Sequence, residues 1–119
     1  PVVFHPHGNF TDPAAWPLME ETLDTGIHGF QFAEHNDLRL ARERWGDRVC
    51  ILGGPDVRGV LLPGPEDHIA EMTRQCLAEA GPEPGFILTA SCSVHRGMPP
   101  AHLRAMVKAA HLHGVSPRL

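Results

Sequence analysis

Four short apolar runs recur along the chain, and each is followed by a segment with helical spacing. The first run is Pro1-Val2-Val3-Phe4-His5. Asp12-Pro13 then supplies an N-cap with proline at the first helical position. Ala14, Ala15, Leu18, Met19, Thr22 and Leu23 repeat at helical steps up to Gly26, which is suited to ending the helix. The second run, Gly29-Phe30-Gln31-Phe32-Ala33, leads to a helix predicted from Asn36 or Asp37 to Gly46, with Leu38, Ala41 and Trp45 on one face. The third, Val49-Cys50-Ile51-Leu52, ends at Gly53-Gly54-Pro55-Asp56. A Gly- and Pro-rich loop follows as far as Pro65.

Glu66 and Asp67 next suit the positive end of a helix. Its apolar stripe is Ile69, Met72, Cys76, Leu77 and Ala80, and Gly81 closes it. The fourth run is Phe86-Ile87-Leu88-Thr89-Ala90. After a loop, Pro99-Pro100 opens a last helix with Leu103, Met106, Val107 and Ala110 expected inward and Gly114 at its end.

Strand and helix alternating four times in steps of roughly thirty residues predict an α/β fold with parallel strands. The runs do not alternate strictly between apolar and polar, as expected for strands covered on both faces. An open four-stranded sheet and half of a (β/α)8 TIM barrel both fit this count. The chain begins inside a strand, and a complete barrel needs about 250 residues, so the half barrel is the more specific expectation. Its remaining half would come from a missing N-terminal half or from a second copy in a homodimer, because edge strands left unpaired invite association.

Composition narrows the function classes. The 119 residues are 42% hydrophobic and 20% charged, which fits a globular domain. A net charge of −4 with ten scattered basic residues argues against nucleic acid and anionic membrane as partners. No apolar run approaches the roughly 20 residues of a membrane span. Three cysteines, Cys50, Cys76 and Cys92, form no secreted-type framework and point to a reducing, cytoplasmic setting. Nine histidines and no tyrosine stand out, since histidine both titrates near neutrality and ligates metals.

In β/α folds, function gathers at the carboxyl ends of the strands. Those positions hold His5 and His7, then Glu34, then Gly53-Gly54-Pro55-Asp56, then Cys92 and His95. His5 and His7 are two apart in an extended segment, so they share a face about 7 Å apart. Cys92 could complete a shell of two imidazoles and one thiolate, a set suited to zinc with a fourth position left for substrate.

Plainer readings stand beside this one. The histidines could hydrogen-bond without metal, and Cys92 could simply line a pocket. Glu34 could be a site carboxylate or the N-terminal charge of the next helix. Asp56 could cap a turn, while Gly53 and Gly54 could let a ligand approach the backbone. Cys50 and Cys76 are expected in the core. His28, His35, His68, His102, His111 and His113 are expected to be solvated.

Longer motifs add a resemblance. Trp45-Gly46-Asp47-Arg48-Val49-Cys50-Ile51-Leu52-Gly53-Gly54-Pro55-Asp56 resembles a strand-and-turn segment of the uroporphyrinogen decarboxylase superfamily. Gly85 to Cys92 and Met98 to Val107 resemble its closing strand, loop and final helix. Phe4-His5-Pro6-His7-Gly8-Asn9 is similar to an earlier strand end written His-x-Cys-Gly-Asn. The resemblance spans essentially the whole chain and implies that residues 1–119 form the C-terminal half of such a barrel domain.

One branch of the superfamily decarboxylates tetrapyrroles without a cofactor. The other comprises corrinoid-linked methyltransferases with a zinc site of the form His-x-Cys…Cys. His5 matches the first ligand of that site and Cys92 the last, while His7 stands where cysteine is usual. The resemblance therefore implies a zinc-dependent, corrinoid-linked methyltransferase or O-demethylase component, with His5, His7 and Cys92 as metal ligands. Glu34 and Asp56 would be catalytic, and Gly53, Gly54 and His95 would bind substrate. Partners would be a small methyl donor or acceptor, thiol or folate-like, and a protein carrying cobalamin or another corrinoid. A metal-independent decarboxylase or lyase and an inactive half-barrel fragment are the alternatives.

Overall fold

The computed structural model describes residues 1–115; residues 116–119 of the expected domain lie outside the described part. Strands β1 (Val3–Phe4), β2 (Gly29–Gln31), β3 (Cys50–Gly53) and β4 (Phe86–Leu88) alternate with helices α1 (Trp16–Asp24), α2 (Leu38–Trp45), α3 (Glu66–Ala80) and α4 (Pro100–His113). The strands form one sheet in the order β1-β2-β3-β4, all parallel. Successive parallel neighbours joined by helical crossovers make this a four-unit portion of a (β/α)8 barrel.

Register sorts the side chains by face. Phe4, Phe30, Ile51 and Phe86 lie abreast across the four strands. Phe30 and Ile51 are fully buried in a core with Met19, Ala41 and Trp45, so this face meets the helices. Phe30 packs edge-on against both Phe4 and Phe10, with ring centroids 5.8 and 5.2 Å apart. The opposite face carries Val3, Gln31, Leu52 and Ile87, which a closed barrel would turn inward. Val3 and Ile87 are about half exposed, at 50% and 51%. About half of each residue is thus left open to solvent.

Local chemistry accounts for several element ends. Asp12 accepts a hydrogen bond from the Ala14 N–H, but the turn it caps is a 3-10 helix, Pro13–Ala15, and α1 proper starts at Trp16. Asp37 caps α2 by accepting from the Leu40 N–H. Gly81 ends α3 with φ 74, a conformation a side chain resists. The Nε of Arg42 on α2 donates to the Ala80 carbonyl, and its Nη2 donates to those of Glu83 and Pro84. This one side chain ties α2 to the turn that feeds β4.

Four expectations are corrected. Three strands are shorter than their apolar runs: β1, β2 and β4 end at Phe4, Gln31 and Leu88, although Phe32, Ala33 and Ala90 beyond them are buried in the connecting segments. The loop before Pro65 contains a π-helical turn, Val57–Leu61, whose Val57, Val60 and Leu61 anchor a second core with Ile69, Ala90 and Met98. On α4 the buried position belongs to Ala109, and Val107 is 49% exposed. His102 is half-buried rather than solvated, and its Nδ1 donates to the Leu61 carbonyl at 2.6 Å.

Candidate metal centre

The loops after β1 and β4 bring three ligating side chains together. His5, His7 and Cys92 each offer an atom, and these atoms all lie within 4.8 Å of one another. Cys92 Sγ is 3.8 Å from His7 Nε2, and the two imidazoles stand edge to face with centroids 5.2 Å apart. Zinc bond lengths of about 2.0 Å to nitrogen and 2.3 Å to sulfur place tetrahedral ligand atoms about 3.5 Å apart. The cluster therefore fits an ion after a small contraction.

A second observation supports that fit. Nδ1 of His5 is buried without a hydrogen-bond partner, as is Oε2 of Glu34. Orphaned buried polar atoms are costly and uncommon in folded proteins, so both are open to a bound species.

The cluster opens into a cleft of about 850 Å³ lined by His7, Glu34, Asp56, Arg58, Cys92 and His95 among others. Of the sequence-predicted residues, the structure thus brings Glu34, Asp56 and His95 to the same cleft as the candidate ligands. Asp37, not Glu34, provides the side-chain cap of α2. Asp56 has a dual position. It lines the cleft, and its Oδ1 accepts from the Arg58 and Gly59 N–H groups at the start of the π-helical turn.

Gly53 and Gly54 do not line this cleft. Both have a packing reason instead. A Cβ at Gly53 would come within 2.6 Å of Leu38 Cδ2, and one at Gly54 within 1.9 Å of the Thr89 carbonyl oxygen.

The other two cysteines stand apart. Burial, reinforced by the nearby Glu79 charge, raises the Cys76 thiol to about 11, and burial pushes Cys50 up against the opposing pull of Arg42. Both stay protonated near neutral pH, unsuited to metal or nucleophilic work.

Sequence reasoning missed the residues that set the loops. Buried Ser91 accepts from the Val57 N–H through Oγ at 3.0 Å, and its own N–H donates to the Pro55 carbonyl. Gln31 Nε2 donates to the Ala90 carbonyl at 3.1 Å. Together they fix the turn that carries Cys92. Gln31 was legible as a rare polar residue inside a strand; Ser91 gave no signal beyond its place beside Cys92.

A parallel β/α sheet with His5, His7 and Cys92 gathered at its carboxyl edge is the architecture of part of a (β/α)8 barrel. The sequence profile of the uroporphyrinogen decarboxylase (URO-D) family matches residues 1–113, and the chain belongs to that family. A uroporphyrinogen decarboxylase from Alkalilimnicola ehrlichii is 37% identical over 100 residues, which cover 84% of this chain and 26% of that protein. One from Yersinia pestis is 30% identical over 95 residues, covering 80% and 26%. Among solved structures, a methyltransferase from Methanosarcina mazei superposes with a TM-score of 0.76 at 25% identity, over 92% of this chain and 30% of that one. The chain thus spans about a quarter of the length of the curated relatives it matches. Members of the family include enzymes, and no helix among the described residues is long and apolar enough to cross a membrane.

Proposed function

We propose that this chain supplies the metal-binding part, the C-terminal half, of a zinc-dependent, corrinoid-linked methyltransferase or O-demethylase component of the family. The observation that carries the reading is the convergence of His5, His7 and Cys92, whose ligand atoms lie within 4.8 Å of one another. Likeness to a solved methyltransferase over 92% of the chain supports it.

Zinc held there would act as a Lewis acid, lowering the pKa of a substrate thiol so that it can accept a methyl group at neutral pH. The protein's own part is positional. His5, His7 and Cys92 occupy one side of the site and leave the cleft side to substrate. Glu34 places a carboxylate oxygen without a partner beside the cleft, free to contact substrate or to orient a ligand. Asp56, anchored by two backbone N–H groups, keeps its charge in one place. His95 sits on the same wall. The small partner would be a thiol or folate-like methyl acceptor, and the methyl group would come from a corrinoid carried on a second protein. A missing N-terminal half or a second copy would close the barrel.

A second reading, a decarboxylase that needs no metal, is favoured by the names of the curated relatives at 30–37% identity. His5 or His7 would then act as a proton donor. Methyl transfer from a methylated corrinoid to a thiol separates the two. The methyltransferase reading expects transfer that stops with a strong chelator and returns with zinc. Decarboxylation of a tetrapyrrole carboxylate that survives the chelator would replace it.

A further inference from the structure

The side chain of Asn36, in the turn between β2 and α2, has all its hydrogen-bonding capacity engaged. Its Nδ2 donates to the carbonyl oxygens of Gly8 at 2.9 Å and Ala33 at 3.0 Å, with a longer contact of 3.4 Å to that of Glu34. Its Oδ1 accepts from the N–H of Phe10 at 2.8 Å and of Thr11 at 3.3 Å. A primary amide offers two N–H groups and two lone pairs, so none is left over. One side of this clamp is the loop that begins directly after His7. The other is the segment that ends in Glu34.

The neighbouring residues are arranged around it. His35 adopts φ 68, a left-handed backbone that a non-glycine residue holds only where its surroundings enforce it. That turn swings Asn36 back toward the β1 loop. Buried Thr11 continues the network: its Oγ1 donates to Asn9 Oδ1 at 2.7 Å and accepts from the Asp37 N–H at 2.9 Å. Asn9 Oδ1 also accepts from the N–H groups of Thr11 and Asp12. By contrast, His7 is exposed, and among the described residues its side-chain contact of this kind is the one to Cys92. Its place is therefore set by its loop, and the loop is set by Asn36.

We propose that Asn36 is a positioning residue for the candidate metal centre: it holds the Gly8–Thr11 loop that follows His7 against the Glu34 segment so that His7 meets Cys92. The claim deepens the metal reading above, and its first measurement rests on that reading. Asn36 touches none of the three candidate ligands' side chains through its own hydrogen bonds. It acts through the backbone of Gly8, Phe10 and Thr11.

The test compares the intact protein with Asn36→Ala and Asn36→Asp. The aspartate keeps the shape but cannot donate to the three carbonyls. Leu23→Ala, a core truncation on α1 away from the site, reports what lost stability alone does. Each protein is titrated with Co(II), read by the thiolate-to-metal charge-transfer band, alongside thermal melting. Both Asn36 variants are expected to melt cooperatively yet bind Co(II) about 10–100-fold more weakly, the usual effect of losing support behind a metal ligand, while Leu23→Ala keeps wild-type affinity. Unchanged affinity in the Asn36 variants, or equal weakening in Leu23→Ala, overturns the proposal. So does failure of both variants to fold, which would make Asn36 a folding residue. If the wild-type protein itself binds no Co(II), the metal reading fails. Amide exchange then decides the role of Asn36: acceleration confined to Gly8–Thr11 in its variants sustains it, and unchanged protection there refutes it.

Discussion

The thiol of Cys92 lies 3.8 Å from Nε2 of His7, although 85 residues separate them and their strands are the two outermost of the sheet. Three strand steps of about 4.8 Å would hold those strands some 14 Å apart in a flat sheet. The contact therefore depends on the curvature of the barrel portion and on both loops turning inward over the carboxyl edge of the sheet. Asn36 on one side and Ser91 with Gln31 on the other supply the bonds that do this. What those loops assemble is the candidate metal centre.

Gly54, just past β3, lies tight against the Thr89 carbonyl just past β4. Because a Cβ there would lie 1.9 Å from a backbone oxygen, Gly54→Ala must move the backbone itself. It is expected to destabilise the protein by about 1–3 kcal/mol, the range for overpacking a tight interior. Gly97→Ala, where nothing lies within 4 Å of the added methyl, is expected to be near neutral. Chemical denaturation midpoints of the two variants check the contrast.

The thiols should differ in both reactivity and pH response. In the folded protein near neutral pH, alkylation followed by mass spectrometry should label Cys92 first and leave buried Cys76 untouched, and zinc should suppress labelling of Cys92. Cys76 also predicts an alkaline effect. Between 9.0, its ordinary value, and about 11, the unfolded chain releases a proton that the folded chain keeps. Stability therefore falls as pH rises through that window. Cys76→Ala should flatten this slope, and an unchanged slope would assign it to other groups.

The uncovered side of the sheet carries its own expectation. Val3 and Ile87 are half exposed on the face that a closed barrel buries. The 119-residue chain on its own should therefore sediment as a dimer or larger species, or melt without cooperativity. A monomer with a sharp transition would mean that the four β/α units are sufficient by themselves.

Much of the fold and part of the site are legible in the amino-acid pattern, for physical reasons that vary by residue. Helix ends follow local rules: Asp37 and Gly81 act where their chemistry requires. Strand ends do not, because Phe32, Ala33 and Ala90 stay buried beyond the strand ends, and apolar character records burial rather than pairing. The π-helical turn at Val57–Leu61 hides inside a Gly- and Pro-rich stretch too short to show a period. Val107 matches the spacing of an inward stripe, yet Ala109 takes the tight contact. The convergence of His5, His7 and Cys92 is legible because strand ends are where such folds gather polar side chains. Gly53 and Gly54 look like room for a ligand and prove to be room for Leu38 and the Thr89 carbonyl. Asn36 is beyond reach, since its role exists only once the β1 loop lies against it.

The most direct test is the zinc content of the intact protein purified without chelator, measured by elemental analysis beside Cys92→Ala. Close to one zinc per chain is expected in the wild type and a loss of most of it in the variant, with the fold retained by circular dichroism. A protein that carries no metal yet catalyses its reaction, or a Cys92→Ala variant that keeps its full zinc, would contradict the metal reading.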